Sequence, residues 1–194
     1  MLNDRSSLLA LMRSRRSAKP RQLAGPGPSD DELEQMLTIA ARTPDHGQLT
    51  PWRFVVVDDG QRDALAALLR QALAEEDPGA PLARHSKEEE FAHYGGKLVV
   101  LVSAPVADHK IPVWEQELSC GAAGMNLLLA AHAMGHVAGW VTGWRAYSPR
   151  VTAAFCRPGQ RIAGFIFIGT SSVDLEDRAH PDLAEVAQTW SPPL

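Results

Sequence analysis

Three runs of the chain are apolar without alternation: "RFVVVDD" (53–59), "KLVVLVSAP" (97–105) and "RIAGFIFIGTS" (161–171). Side chains along a strand point to opposite faces in turn. An unbroken apolar run therefore has no face to give to water, and such strands belong in a sheet covered on both sides. "HVAGWV" (136–141) offers a further strand.

The segments between the strands carry helical spacing. Leu8, Leu9, Leu11 and Met12 start a first helix that ends near Arg13, Arg15 and Arg16. Ser29 and Glu32 make a capping box ahead of Leu33, Met36, Leu37 and Ala40. That second helix must stop before Pro44, because a residue preceding proline avoids the α region. "RDALAALLRQALAEE" (62–76), Pro112–Met134 and "PRVTAAF" (149–155) read as three more helices. Gly79–Tyr94 is mixed and charged, and reads as a mobile excursion. The expected class is α+β, a central mixed or antiparallel sheet covered by helices. With 194 residues, one core is affordable, so 1–194 is expected to be a single domain with polar 173–194 as its tail.

Charge and cysteine narrow the function. A net charge of −4 argues against a nucleic-acid partner held by electrostatics. Two cysteines, Cys120 and Cys156, make neither a disulfide framework nor a CxxC metal site. The apolar stretch near Met1 is too short and interrupted for a secretory leader, and Cys120–Met134 falls short of a membrane span. The expected location is the cytoplasm.

Few segments invite chemistry. "RSRRSAKP" (13–20) places Arg15, Arg16 and Ser17 together, donors suited to a phosphate. Cations that merely complement a helix end account for the same residues, and for Arg42. "RTPDHGQLTPW" (42–52) cannot continue a helix, and it carries His46 as a possible base, ligand or donor to a ring. His132 and His136 have zinc-like spacing, but no carboxylate lies between them and Gly135 ends the helix, so no metal is expected. "SCGAAG" (119–124) suits close backbone approach. Cys120 has no identifiable base, and no Walker A, GxSxG or GxGxxG sequence is present.

Taken in order, "RRSAKP", "ARTPDHGQLTPWRFVV", "KIPVWEQELSCGAAGMNLLLAAHAMG", "GWVTG" and "FIFIGT" resemble the nitroreductase family of flavoproteins, in its short YdjA-like subgroup. The resemblance runs from about Ser14 to Thr170. It implies an intertwined homodimer with two FMN sites shared between subunits, NAD(P)H as reductant, ping-pong turnover and a small acceptor such as a nitroaromatic or quinone. FMN carries the chemistry, so no catalytic side chain is expected. Other flavin reactions (ene, quinone or flavin reduction, oxidase) use the same scaffold, and so would a protein that only stores FMN.

By the same resemblance, Arg15 and Ser17 hold the phosphate, with Arg16 contributing between them. Lys19 lies near the N1/C2 carbonyl edge of the ring. Arg42 and His46 touch FMN across the dimer interface, and Trp140, Val141 and Thr142 line the isoalloxazine. Arg178 is the candidate for a further C-terminal phosphate ligand. Trp52 packs as structure, and the turn delivers the chain to a central strand at Arg53. Many relatives have "N-x-QPW" where this chain has Thr50-Pro51-Trp52, so Thr50 stands in place of a glutamine that contacts the ring edge.

Overall fold

The computed structural model describes residues 1–193; Leu194, the end of the expected tail, lies outside them. Five strands form one sheet: β1 (Leu23–Ala24), β2 (Trp52–Val57), β3 (Lys97–Ser103), β4 (Val137–Val141) and β5 (Arg161–Ser171). The four pairings are all antiparallel: β2 with β3, and β5 with β1, β3 and β4. The antiparallel half of the expected "mixed or antiparallel" sheet is the one observed. β2 pairs with β3 alone, so Arg53 enters an edge strand of this chain rather than a central one.

Both faces of the sheet are covered. Leu98, Val100 and Val102 of β3, with Phe165 and Phe167 of β5, pack under α3 (Arg62–Glu76), α4 (Leu82–Ala92) and α6 (Pro149–Phe155). Val99 and Leu101, with Ile166 and Ile168, pack under α2 (Asp30–Ala40) and α5 (Val113–Ala133). Successive residues thus serve opposite cores, which is why the strand sequences do not alternate. α1 (Leu8–Ser14) rests beside α5. α2 carries the expected capping box, in which Ser29 Oγ accepts from Glu32 N and Glu32 Oε2 from Ser29 N.

The expected excursion at Gly79–Tyr94 is instead helix α4, packed on the core. Phe91 meets Phe165 and Phe167 edge-on, at 5.3 and 5.1 Å between centroids. Glu88 is buried against Arg145, and Arg62 donates to the carbonyls of Ala92 and Gly96. Charge density on the outer face hid the helix: only Glu88, Phe91 and Ala92 are buried. β1 is too short to show a period. The tail contains a helical turn, α7 (Leu183–Val186), and the chain just ahead of it folds back on the N-terminal loop, where Ser172 N donates to Gln22 O at 2.8 Å.

Candidate functional site

α1 ends at Ser14, and Arg15 leaves the helix with φ −59° and ψ 126°. Asn3 holds the next peptide: its Oδ1 accepts from Arg16 N at 2.7 Å and its Nδ2 donates to Arg16 O at 3.2 Å. His132 Nε2 lies 3.1 Å from the same carbonyl. Further along, the loop lies directly on β4. A Cβ at Gly139 would stand 2.4 Å from Ala18 O, so only glycine admits this approach.

The pinned loop gathers cations. Arg15, Arg16, Ser17, Lys19, Trp140, Val141 and Arg178 all line one cavity of about 310 Å³. Arg15 Nη1 donates to Ser17 Oγ at 2.9 Å, which leaves the hydroxyl proton free to donate elsewhere. Burial lowers the proton affinity of Arg15, and the charges of Arg178 and Arg16 lower it further. None of the ion pairs among the described residues uses Arg15, Arg16 or Arg178. Three arginines therefore line this cavity beside a hydroxyl, none of them in an ion pair, while Asp174, Glu176 and Asp177 line the neighbouring cavity with Arg16. A phosphate fits that donor set in charge and in hydrogen bonding. Arg16 Nε also donates to Glu176 O at 2.6 Å, which ties the start of the tail, and so Arg178, to the loop.

The other expected residues lie apart from this cluster. The Trp140 indole turns into the core: Nε1 donates to Ala163 O at 3.1 Å and the ring packs on Gly124. Its backbone is what remains for the cavity. Thr142 lines a separate cavity of about 300 Å³ with Ser103, Cys120, Tyr147 and Arg161. Burial pushes the Cys120 thiol up to about 11, so it is no nucleophile at neutral pH.

Arg42 and His46 sit in the turn after α2, both exposed. Asp45 Oδ2 organises that turn by accepting from Leu49 N and Thr50 N. Gly47 has φ 79°, and a Cβ there would run into Ile111. Thr50 has φ 50°, a left-handed conformation that a β-branched residue rarely adopts. Trp52 is buried in the core, as expected. His46 Nδ1 meets Glu115 Oε2 at 2.8 Å, at the N-terminal end of α5. Arg16 O meets His132, at its C-terminal end. Seventeen residues separate those contacts, about 25 Å of helix. Within one chain, the two groups of expected FMN residues do not meet.

His132 and His136 do not converge on a metal. Both ring nitrogens of His132 face carbonyls, whereas His136 Nε2 lies 3.5 Å from Glu32. Asn3 and His132 are the residues that sequence reasoning missed at this site. Asn3 lies in no motif, and its role exists only through the fold-back of the N-terminus.

A sheet covered on both faces, with an arginine-rich loop laid across one of its outer strands, defines the class. The model of the nitroreductase family matches residues 12–170, and the chain belongs to that family. It is 36% identical over 167 residues to the Escherichia coli (strain K12) protein named "Putative NAD(P)H nitroreductase YdjA", covering 84% of this chain and 87% of that one. In three dimensions it resembles a nitroreductase-like family protein from Bacillus cereus, with TM-score 0.82 and 22% identity over 95% of this chain and 96% of that one. It also resembles the protein described as FMN and NADPH-dependent nitroreductase NfnB of Sphigopyxis sp. strain HMH, with TM-score 0.76 and 17% identity over 95% and 99% of the two chains. No helix among the described residues is long and apolar enough to cross a membrane.

Proposed function

We propose that this chain is an FMN-dependent NAD(P)H oxidoreductase that reduces a small acceptor, a nitroaromatic or quinone, by ping-pong turnover in the cytoplasm. The observation that carries the reading is the convergence of Arg15, Arg16 and Arg178 beside Ser17 on a cavity lined by no carboxylate. The relative named for NAD(P)H, at 36% identity, and the family match support it. FMN, when bound, supplies the acceptor and donor of hydride, so the protein needs no acid–base pair of its own.

The residues then have distinct tasks. Arg15, Arg16, Ser17 and Arg178 bind the phosphate. Lys19 places a cation beside the ring. The backbone of Trp140 and Val141 supports one ring face, and Thr142 extends the pocket toward the second cavity. Residues 1–194 act as one domain, with 173–194 as a tail whose first part closes over the phosphate loop.

Arg42 and His46 complete the site from a second copy. Trp114, Leu118 and Met125 form an exposed apolar stripe on α5, at helical spacing. Two α5 helices packed antiparallel about a two-fold axis would cover this stripe. The same packing brings the N-terminal end of one α5, with His46, beside the C-terminal end of the other, with Arg16. The two groups that stand about 25 Å apart in one chain then share one site.

The purified protein should be yellow and dimeric, and denaturation should release FMN. Anaerobic NAD(P)H should bleach it. Released FAD, or a stable flavin-loaded monomer in light scattering, would contradict the reading. Bound FMN that NAD(P)H cannot reduce would favour storage of the cofactor instead.

A further inference from the structure

His132 lies in the last turn of α5, fully buried, and the redox reading gives it no task. Its Nδ1 is 2.7 Å from Leu128 O and its Nε2 is 3.1 Å from Arg16 O. A neutral imidazole carries one N–H, so it can donate to only one of these carbonyls. At the other, lone pair faces lone pair. The imidazolium alone satisfies both contacts.

The surrounding charges oppose that form until an anion arrives. Burial disfavours the imidazolium and Arg15 disfavours it further, while the Leu128 and Arg16 carbonyls favour it. The C-terminal end of the α5 dipole also favours a cation. Arg16 and Arg178 stand with Arg15 on the loop side. Arg5 lies against Gly135 just beyond the helix end. From α2, Glu32 lies 3.5 Å from His136, and no carboxylate hydrogen-bonds the His132 ring. A phosphate bearing up to two negative charges would offset most of the positive field from the arginine side.

We propose that His132 is a positioning residue coupled by protonation to the anion site. It takes up a proton from solvent when a phosphate binds at Arg15, Arg16 and Arg178. It then donates from both ring nitrogens and holds the Arg16 carbonyl, and with it the Arg15–Ser17 loop, in register. The inference rests on the FMN reading of that cluster. Linkage is reciprocal, so protonation must also tighten FMN. Phosphate binding raises the His132 pKa above its anion-free value. The gain in affinity is therefore complete below the anion-free pKa, and it is lost as pH rises through the anion-bound pKa.

The experiment measures FMN and riboflavin affinity by calorimetry from about pH 5 to about pH 8, in the wild-type protein and in His132→Phe. The phosphate of FMN titrates in both proteins, and every other group is common to the two, so the difference between proteins isolates His132. The wild type should lose at least about fivefold more FMN affinity across that range than the variant, within the span typical of coupled sites. Riboflavin should show no such difference. Nitrogen NMR of the wild-type imidazole needs no variant: both ring nitrogens should be protonated with FMN, and one with riboflavin. An identical protonation state with both ligands, or parallel pH profiles in the two proteins, would overturn the coupling alone. If the wild type binds no FMN, the functional reading and the coupling fall together.

Discussion

Two groups of arginines in this molecule behave as opposites. Arg145 and Arg62 lie between the sheet and its outer helices, and each meets partners within the fold. Arg145 Nε stands 2.5 Å from Glu88 Oε2, and its guanidinium lies 3.6 Å from the centre of the Phe91 ring. The two charges form a buried ion pair. Arg62 donates to Ala92 O and Gly96 O at 3.1 and 2.7 Å, stapling α4 to the start of β3. At the β4 edge of the sheet, Arg15, Arg16 and Arg178 line one cavity. One group places its charge among partners in the fold, and the other forms no ion pair within the described residues. The residue type is the same, and the acceptors that the fold places beside it, Glu88 for Arg145 and two carbonyls for Arg62, make the difference.

The largest effect that would break this comparison lies in the partnered group. Glu88→Ala leaves the Arg145 charge buried and uncompensated, which should cost about 3–5 kcal/mol of folding stability. Urea denaturation measures it. A loss below about 1 kcal/mol would mean that Arg145 relaxes to water and that the group is not structural.

The opposite result is expected at the site. Arg15→Ala should leave folding stability within about 0.5 kcal/mol of the wild type, because it removes a repelled cation. It should weaken FMN by about one to two orders of magnitude, the equivalent of one charge-assisted hydrogen bond of about 1.5–3 kcal/mol. Riboflavin, which lacks the phosphate, should be nearly unaffected. Equal losses for both ligands would make Arg15 a helix-end cation instead.

Lys19 sharpens the comparison within the site. It lines both cavities flanking the loop and, if it reaches the ring, it favours the more negative, reduced form. About 1–2 kcal/mol of such preference corresponds to roughly 20–45 mV for a two-electron couple. Lys19→Met should lower the midpoint potential of bound FMN by that order in an anaerobic titration. An unchanged potential in fully loaded protein would assign Lys19 to solvent.

The smallest effect belongs to an exposed pair on the structural side. His93 Nε2 meets Asp63 Oδ1 at 2.9 Å, linking α4 to α3. The hydrogen bond to Asp63, then that to the Glu89 carbonyl, raises the His93 pKa above its ordinary value. A raised folded-state pKa contributes stability that is complete below the unfolded value and is lost as pH rises through the folded one. The pair is solvent-exposed, so under about 1 kcal/mol is at stake. Asp63→Asn should flatten the pH dependence of the melting temperature just above the ordinary histidine range, and a profile matching the wild type would remove the pair from the account.

Much of the fold was legible along the chain. The unbroken strands 97–103 and 161–171, the Ser29–Glu32 capping box and the helices 62–76 and 149–155 stand where pattern places them. These features are local, and a strand with two buried faces or a helix with a capped end writes its requirement into consecutive residues. The arginine–serine loop was legible as chemistry for the same reason, since its donors are neighbours in sequence.

Tertiary structure decided the rest, because the deciding contacts join residues far apart in the chain. Gly79–Tyr94 looked like an excursion until Phe91 met β5 and Glu88 met Arg145, fifty-seven residues away. Arg53 looked central until the strand order left β2 at an edge. Asn3 carries no signal of its own and the spacing of His132 points to a metal, and only the approach of both to Arg16 O joins them to this loop. Sequence by itself determined the layered α+β class and offered candidates for an anion site. Which arginines are partnered and which form no ion pair was set by where the fold put the acceptors, since Coulomb interaction at a few ångströms depends on distance in space and not on distance along the chain.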